Sequence, residues 1–157
     1  MLREILAASA FAAVLSPLAA LAEPTVGSCS PAHLKFMASD PLRFRLTSQS
    51  YVDLPQARVV FHQGGRVASC VLVRFSANAN GAQGNFAVRA LVDGVTTALP
   101  NEVTLTDTAD VGPAARRFTF VLPSVTPGPH SVTIQYRRLN GTMSDMNAHN
   151  TIVWFAP

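Results

Sequence analysis

Apolar and polar residues alternate with a period of two along most of this chain. Leu42, Phe44 and Leu46 alternate with Arg43, Arg45 and Thr47. Ala57, Val59 and Phe61 alternate with Arg58, Val60 and His62, and Phe86, Val88, Ala90 and Val92 with Ala87, Arg89 and Leu91. Val103 and Leu105 alternate with Thr104 and Thr106, Phe118, Phe120 and Leu122 with Arg117, Thr119 and Val121, and Val132, Ile134 and Tyr136 with Ser131, Thr133, Gln135 and Arg137. Successive side chains of a strand point to opposite faces, so this period predicts half-buried strands. One run, Ala68 to Ala77, carries apolar residues on both parities: Val71, Val73, Phe75 and Ala77 on one, Cys70 and Leu72 on the other. That pattern predicts an interior strand about which the others are arranged. Turn signals separate the runs: Gly64-Gly65, Asp93-Gly94, Pro127-Gly128-Pro129 and Asn140-Gly141. Thr151 to Phe155 closes the chain as a last strand.

The result is about eight strands and no long amphipathic helix. It predicts an all-β protein, an antiparallel β-sandwich with a jelly-roll-like arrangement, and an immunoglobulin-like sandwich as the alternative. The single Trp154 lies near the C-terminus rather than between the cysteines, which speaks against a true immunoglobulin domain. The polar stretch 78–85 is expected to be a flexible loop.

The N-terminus reads differently. Residues 5–21 are almost all apolar after a short charged start, and Ala20-Leu21-Ala22 is a small-x-small cleavage signature. Residues 1–22 are therefore expected to be a signal peptide, cleaved after Ala22, with no membrane span left in the mature chain. Residues 23–41, punctuated by Pro24, Gly27, Pro31 and Pro41, are expected to form an irregular arm with a short helical turn around 32–37. Residues 42–157 then form one β-sandwich domain. Export leads to a secreted or periplasmic location, where Cys29 and Cys70 are expected to pair.

The formal net charge is +3, too weak to argue for nucleic acid. Arginine supplies nearly all the positive charge, and Lys35 is the sole lysine.

Ser50-Tyr51-Val52-Asp53-Leu54-Pro55, Val73-Arg74-Phe75-Ser76-Ala77, Leu91-Val92-Asp93-Gly94 and Pro127 to Tyr136 together resemble a group of uncharacterised exported bacterial proteins with a jelly-roll-like sandwich. The similarity spans roughly residues 48–155 and rests on turn and strand motifs. It implies a fold and no activity or catalytic residues.

Catalytic chemistry is hard to find in the spacing. His33, His62, His130 and His149 lack metal-ligand spacing, and no metal or cofactor is expected. His130, at a turn, and His149, placed just before the last strand, are expected to make turn or edge hydrogen bonds. Asp93 is explained by its glycine neighbour, and Asp107 with Asp110 make at most a weak calcium loop. There is no nucleophile elbow, phosphate loop or dinucleotide fingerprint, so the protein is expected not to be an enzyme, and a hydrolase with no visible catalytic set is the last of the alternatives. The unusual feature is the arginines. Arg43, Arg45, Arg58, Arg89, Arg117 and Arg137 (with Arg74) fall in expected strands, opposite an apolar parity. If several shared one outer face, that face would suit carboxylate or phosphate groups. The candidate partners are then an acidic polysaccharide or further copies of the chain, in a binding or structural role at the cell envelope.

Overall fold

The computed structural model describes residues 29, 31–39, 44–81, 84–106 and 112–157. The expected signal peptide, its cleavage site, Arg43, Asp107 and Asp110 lie outside them. The described residues form ten strands: β1 (His33–Ser39), β2 (Phe44–Leu46), β3 (Val52–Gln63), β4 (Ser69–Asn80), β5 (Phe86–Val92), β6 (Thr96–Thr97), β7 (Val103–Thr104), β8 (Ala114–Val125), β9 (Gly128–Arg138) and β10 (Ser144–Phe155). No helix occurs among the described residues, and so none long and apolar enough to cross a membrane.

The strands form two five-stranded antiparallel sheets. Sheet A runs β1-β10-β4-β8, with β2 also on β10; sheet B runs β3-β9-β5-β6, with β7 also on β5. The pairing is nested: β1 lies on β10, β3 on β9, β4 on β8, and β5 on the short β6 and β7. A single long antiparallel ribbon rolled into two sheets gives this order, which is the jelly roll. It replaces the immunoglobulin-like alternative.

The alternation follows from burial. In β4 every second residue from Val71 to Ala79 is buried, and the intervening Leu72, Arg74, Ser76, Asn78 and Asn80 are half-exposed. Val71, Val73, Phe75, Phe86, Val88, Phe120, Leu122, Val132, Ile134 and Val153 meet between the sheets in one core. The expected central strand is indeed interior, between β10 and β8. It is covered by sheet B on one face only.

Three expectations change. Residues 33–39 are a strand rather than a helical turn in an irregular arm, because β10 offers them an unbroken seven-residue ladder, His33 opposite Phe155 through Ser39 opposite His149. Residues 78–80 continue β4 rather than opening a loop. Ala79 is buried in the core, and Asn80 still pairs opposite Asp145. His149 likewise lies inside the last strand, since β10 begins at Ser144.

One turn and the cysteine pair behave as written in the chain. Asp93 and Gly94 both have positive φ, 52° and 73°, at the centre of a tight turn closed by the Val95 N–H on the Val92 carbonyl at 3.1 Å. Cys29 and Cys70 form a disulfide with Cα atoms 5.6 Å apart. Cys70 lies two residues before Leu72 on the outward parity of β4, and Leu72 is opposite Trp154. The bridge therefore joins the chain entering β1 to the start of β4 across the end of β10.

Candidate functional site

The outer face of sheet A is organised in transverse rows. Leu34, Trp154, Leu72 and Val121 form one, Phe36, Ile152, Arg74 and Thr119 the next, and Ala38, Asn150, Ser76 and Arg117 a third. The first row is wholly apolar and is lengthened by Leu99, whose backbone bridges Val121. Phe36 is 67% exposed and Leu34 48%. The Arg74 guanidinium lies 4.7 Å from the centre of the Trp154 ring, a cation–π contact. An apolar band holding Trp, Phe, Leu and Ile, with arginine in it and no Glu or Asp, has the composition of an interface core.

The third row is polar and sunken. Ala38, Ala115 and Ala148 are too small to fill the surface, leaving a shallow depression of about 600 Å³ with Ser76, Asn78, Asn150 and Arg117 on its lining. The Oδ1 atoms of Asn78 and Asn150 are buried there without a hydrogen-bond partner.

The outer face of sheet B is a polar network. Arg89 donates through Nε (3.0 Å) and Nη2 (2.7 Å) to Gln135 Oε1, and Gln135 Nε2 donates to Asp53 Oδ1 at 2.8 Å. Arg137 donates to both Glu102 oxygens, at 2.7 and 3.1 Å. The Tyr51 ring lies beneath Arg89 (3.7 Å) and Arg137 (5.1 Å), and its hydroxyl donates to Glu102 Oε2. The Arg137 hydrogen bond, outweighing partial burial, holds the Glu102 carboxyl below the usual range. Burial, reinforced by Glu102, raises the Tyr51 hydroxyl.

The sequence-derived arginines thus divide between two faces. Arg58, Arg89 and Arg137 share sheet B, while Arg45 and Arg117 sit on sheet A, Arg45 opposite Asp145. On sheet B the arginines do not form a bare basic face. Asp53, Asp93 and Glu102 stand among them, and Arg58 donates to Ser131 Oγ at 3.3 Å. The alternation that placed each arginine outward carried no information on the acids that strand order brings beside it. Signals that sequence reasoning passed over were Phe36 and Leu34, in a stretch read as irregular, and Trp154, read only as a missing immunoglobulin mark.

His130, Asp93 and Ser131 lie together at one end of sheet B. His130 Nδ1 is 2.7 Å from Asp93 Oδ2, and Nε2 is 2.8 Å from the Thr126 carbonyl. Both partners are acceptors, so the ring satisfies both only when doubly protonated, and neither nitrogen is free to take a proton from Ser131. Burial opposes the charged ring, but the hydrogen bonds to Asp93 and Thr126 outweigh it and raise the His130 pKa. Burial also opposes the Asp93 charge, and His130 and the Ser131 N–H outweigh it and lower that pKa. His130 acts as a clamp between two turns. His149, buried in β10, is pushed the other way by desolvation. Among the described residues no group of three His, Cys, Asp or Glu side chains is placed to hold a metal ion.

The clamp has a pH signature. A raised His130 pKa gives stability that is fully present below the unfolded value of 6.5 and is lost as pH rises through the folded value. Asp93 is 46% exposed, so the effect is small. Wild type should melt about 1–4 °C above His130→Gln at pH 5.5, and the gap should close by pH 9. A gap independent of pH across that range would rule the clamp out.

No protein-family model matches the chain, and no curated protein matches it in sequence. Similarity appears among solved structures. The chain is similar to the VP2 subviral particle protein of infectious bursal disease virus, with 13% identity and a TM-score of 0.51, over 85% of this chain and 37% of that one. It spans little more than a third of that protein, and the likeness is one of fold. Two more distant matches are a family GH115 4-O-methyl-α-glucuronidase (10% identity, TM-score 0.45, 88% of this chain and 19% of that one) and a disulfide-linked pilus protein of Bacillus endospore appendages (8% identity, TM-score 0.38, 85% and 100%).

Proposed function

We propose that this is a non-enzymatic structural domain of the cell exterior that associates with copies of itself through the outer face of sheet A. The apolar band around Trp154 carries the reading. Exposed Phe36 and Leu34 beside Trp154, Leu72, Ile152 and Val121 make a contiguous hydrophobic surface of the kind that marks interaction sites. The Cys29–Cys70 bridge supports an oxidising compartment. The domain has the jelly-roll architecture, which leaves the outer face of each sheet free to pack, and of the two that of sheet A is the apolar one.

A second reading has its own observation. The depression holding Asn78, Asn150, Ser76 and Arg117 carries two buried amide oxygens without donors, and such groups cost about 1–3 kcal/mol each unless a partner reaches them. Sugar hydroxyls would supply donors and Arg117 would take a carboxylate, which fits an acidic glycan at this place rather than on the arginines of sheet B.

One experiment addresses both. Sedimentation of the exported protein between 1 μM and 1 mM should show reversible association, weakened at least tenfold by Ile152→Gln with Leu72→Gln, while the melting temperature changes by only a few degrees. A strictly monomeric protein at 1 mM would end the assembly reading. Repeating the series with an oligogalacturonate should move the equilibrium only if the glycan reading holds.

A further inference from the structure

A jelly roll has open edges, and a strand edge with unpaired N–H and C=O groups is a template for another chain unless something protects it. Three of the edges here carry protection. On β8, Pro123 removes a donor and Leu99 pairs with Val121 through two backbone hydrogen bonds of 2.8 and 2.7 Å. The free edge of β3 is broken by Pro55, by Gln56 at a φ of 56°, and by a register shift between Asp53 and Arg58. On the far side of sheet B, β6 and β7 are two residues each.

β1 differs. Its seven residues pair with β10 without a register shift, and among the described residues they pair with nothing on the other side. It has no proline, no glycine and one full charge, Lys35. Leu34, Phe36 and Met37 are all well exposed, although apolar strands of this kind are usually covered. Beside it, a groove of about 480 Å³ separates β1 from β3, lined by Leu34, Lys35, Phe36, Met37 and Val60 among others.

Resting on the self-association proposed above, but through the edge of sheet A and beside the contact of its outer face, we propose that a second copy of the chain occupies this edge, with β1 pairing antiparallel to β1 about a two-fold axis at Phe36, so that two copies of sheet A become one continuous sheet. A two-fold contact must be self-complementary. With Phe36 on the axis, Leu34 faces Ala38 of the second copy, Lys35 faces Met37, and His33 faces Ser39. The two lysines are therefore never opposite one another, and like charges directly opposite are what destabilises such pairs. The outward residues Leu34 and Phe36 of both copies extend the band that runs through Ile152 and Trp154. A seven-residue strand is about 23 Å long and the sandwich edge roughly 20 Å deep, so the contact buries on the order of 900 Å² in total. That is below the size of stable specific interfaces and in the range of weak, transient ones, so the dimer is reversible rather than permanent.

Two variants test it. Phe36 lies on the proposed axis, where paired Cα atoms are about 4.5–5.5 Å apart and within disulfide reach. Phe36→Cys should give covalent dimers within minutes under mild oxidation, and Val95→Cys, at an equally exposed hairpin tip, should not. Leu34→Lys with Phe36→Lys should weaken association at least tenfold without unfolding the domain, both side chains being exposed. If wild type associates but Phe36→Cys crosslinks no faster than Val95→Cys, or the lysine variant associates as before, the β1 pairing is wrong and self-association survives it. If wild type stays monomeric at 1 mM, both readings fall together.

Discussion

Phe75→Ala should destabilise the domain by about 3–5 kcal/mol, enough to lower its melting temperature by about 10–20 °C. Phe75 is fully buried at the middle of β4, opposite Phe118 on one side and Thr151 on the other, with the His149 ring at 6.1 Å. Neighbours held in two ladders cannot collapse into the space a lost ring leaves, so the cavity cost adds to the lost transfer energy. Phe36→Ala in the same sheet removes the same atoms from a side chain that is 67% exposed, and should cost less than about 0.5 kcal/mol. Urea denaturation of both variants measures the contrast, with the Phe75 midpoint falling at an unchanged m-value. Equal effects would mean that the core does not lie where these sheets put it.

Loss of the disulfide is the other large effect. Cys29 and Cys70 are 41 residues apart, and closing a loop of that size stabilises by roughly 4 kcal/mol in the chain-entropy view. The structure adds a reason for the site. The bridge holds the entry to β1 against β4 across the end of β10, so it secures the pairing of the first strand with the last, which has the longest loop to close. Cys29→Ala should cost about 2–4 kcal/mol, and a reducing agent should lower wild type to the variant's level while leaving the variant unchanged. Coincident oxidised and reduced transitions for wild type would sink the claim. Because β1 carries Phe36 and Leu34, the same variant should also weaken self-association.

Much of the β-structure was legible in the chain because burial in a strand depends on parity alone. Phe86, Val88, Ala90 and Val92 point inward for the same reason that Arg89 points outward, and no knowledge of neighbours is needed to say so. The Asp93-Gly94 turn was legible because few other residue pairs accept positive φ at both positions. Strand β1 was not legible. Leu34, Phe36 and Met37 are apolar on both parities without being buried, and only the ladder offered by β10, about 120 residues later, makes them extended.

The candidate sites divide in the same way. By itself, the sequence determined an all-β chain with two cysteines able to bridge and arginines on outward positions, since each of these follows from local spacing and composition. Which arginines share a face was decided by the rolled pairing of β3 with β9 and β9 with β5, which put Arg58, Arg89 and Arg137 together and set Asp53 and Glu102 among them. Tertiary structure alone also assembled the band of Leu34, Trp154, Leu72 and Val121. Its members come from four strands spread over the whole chain, and contacts between residues so far apart in sequence leave no periodic trace.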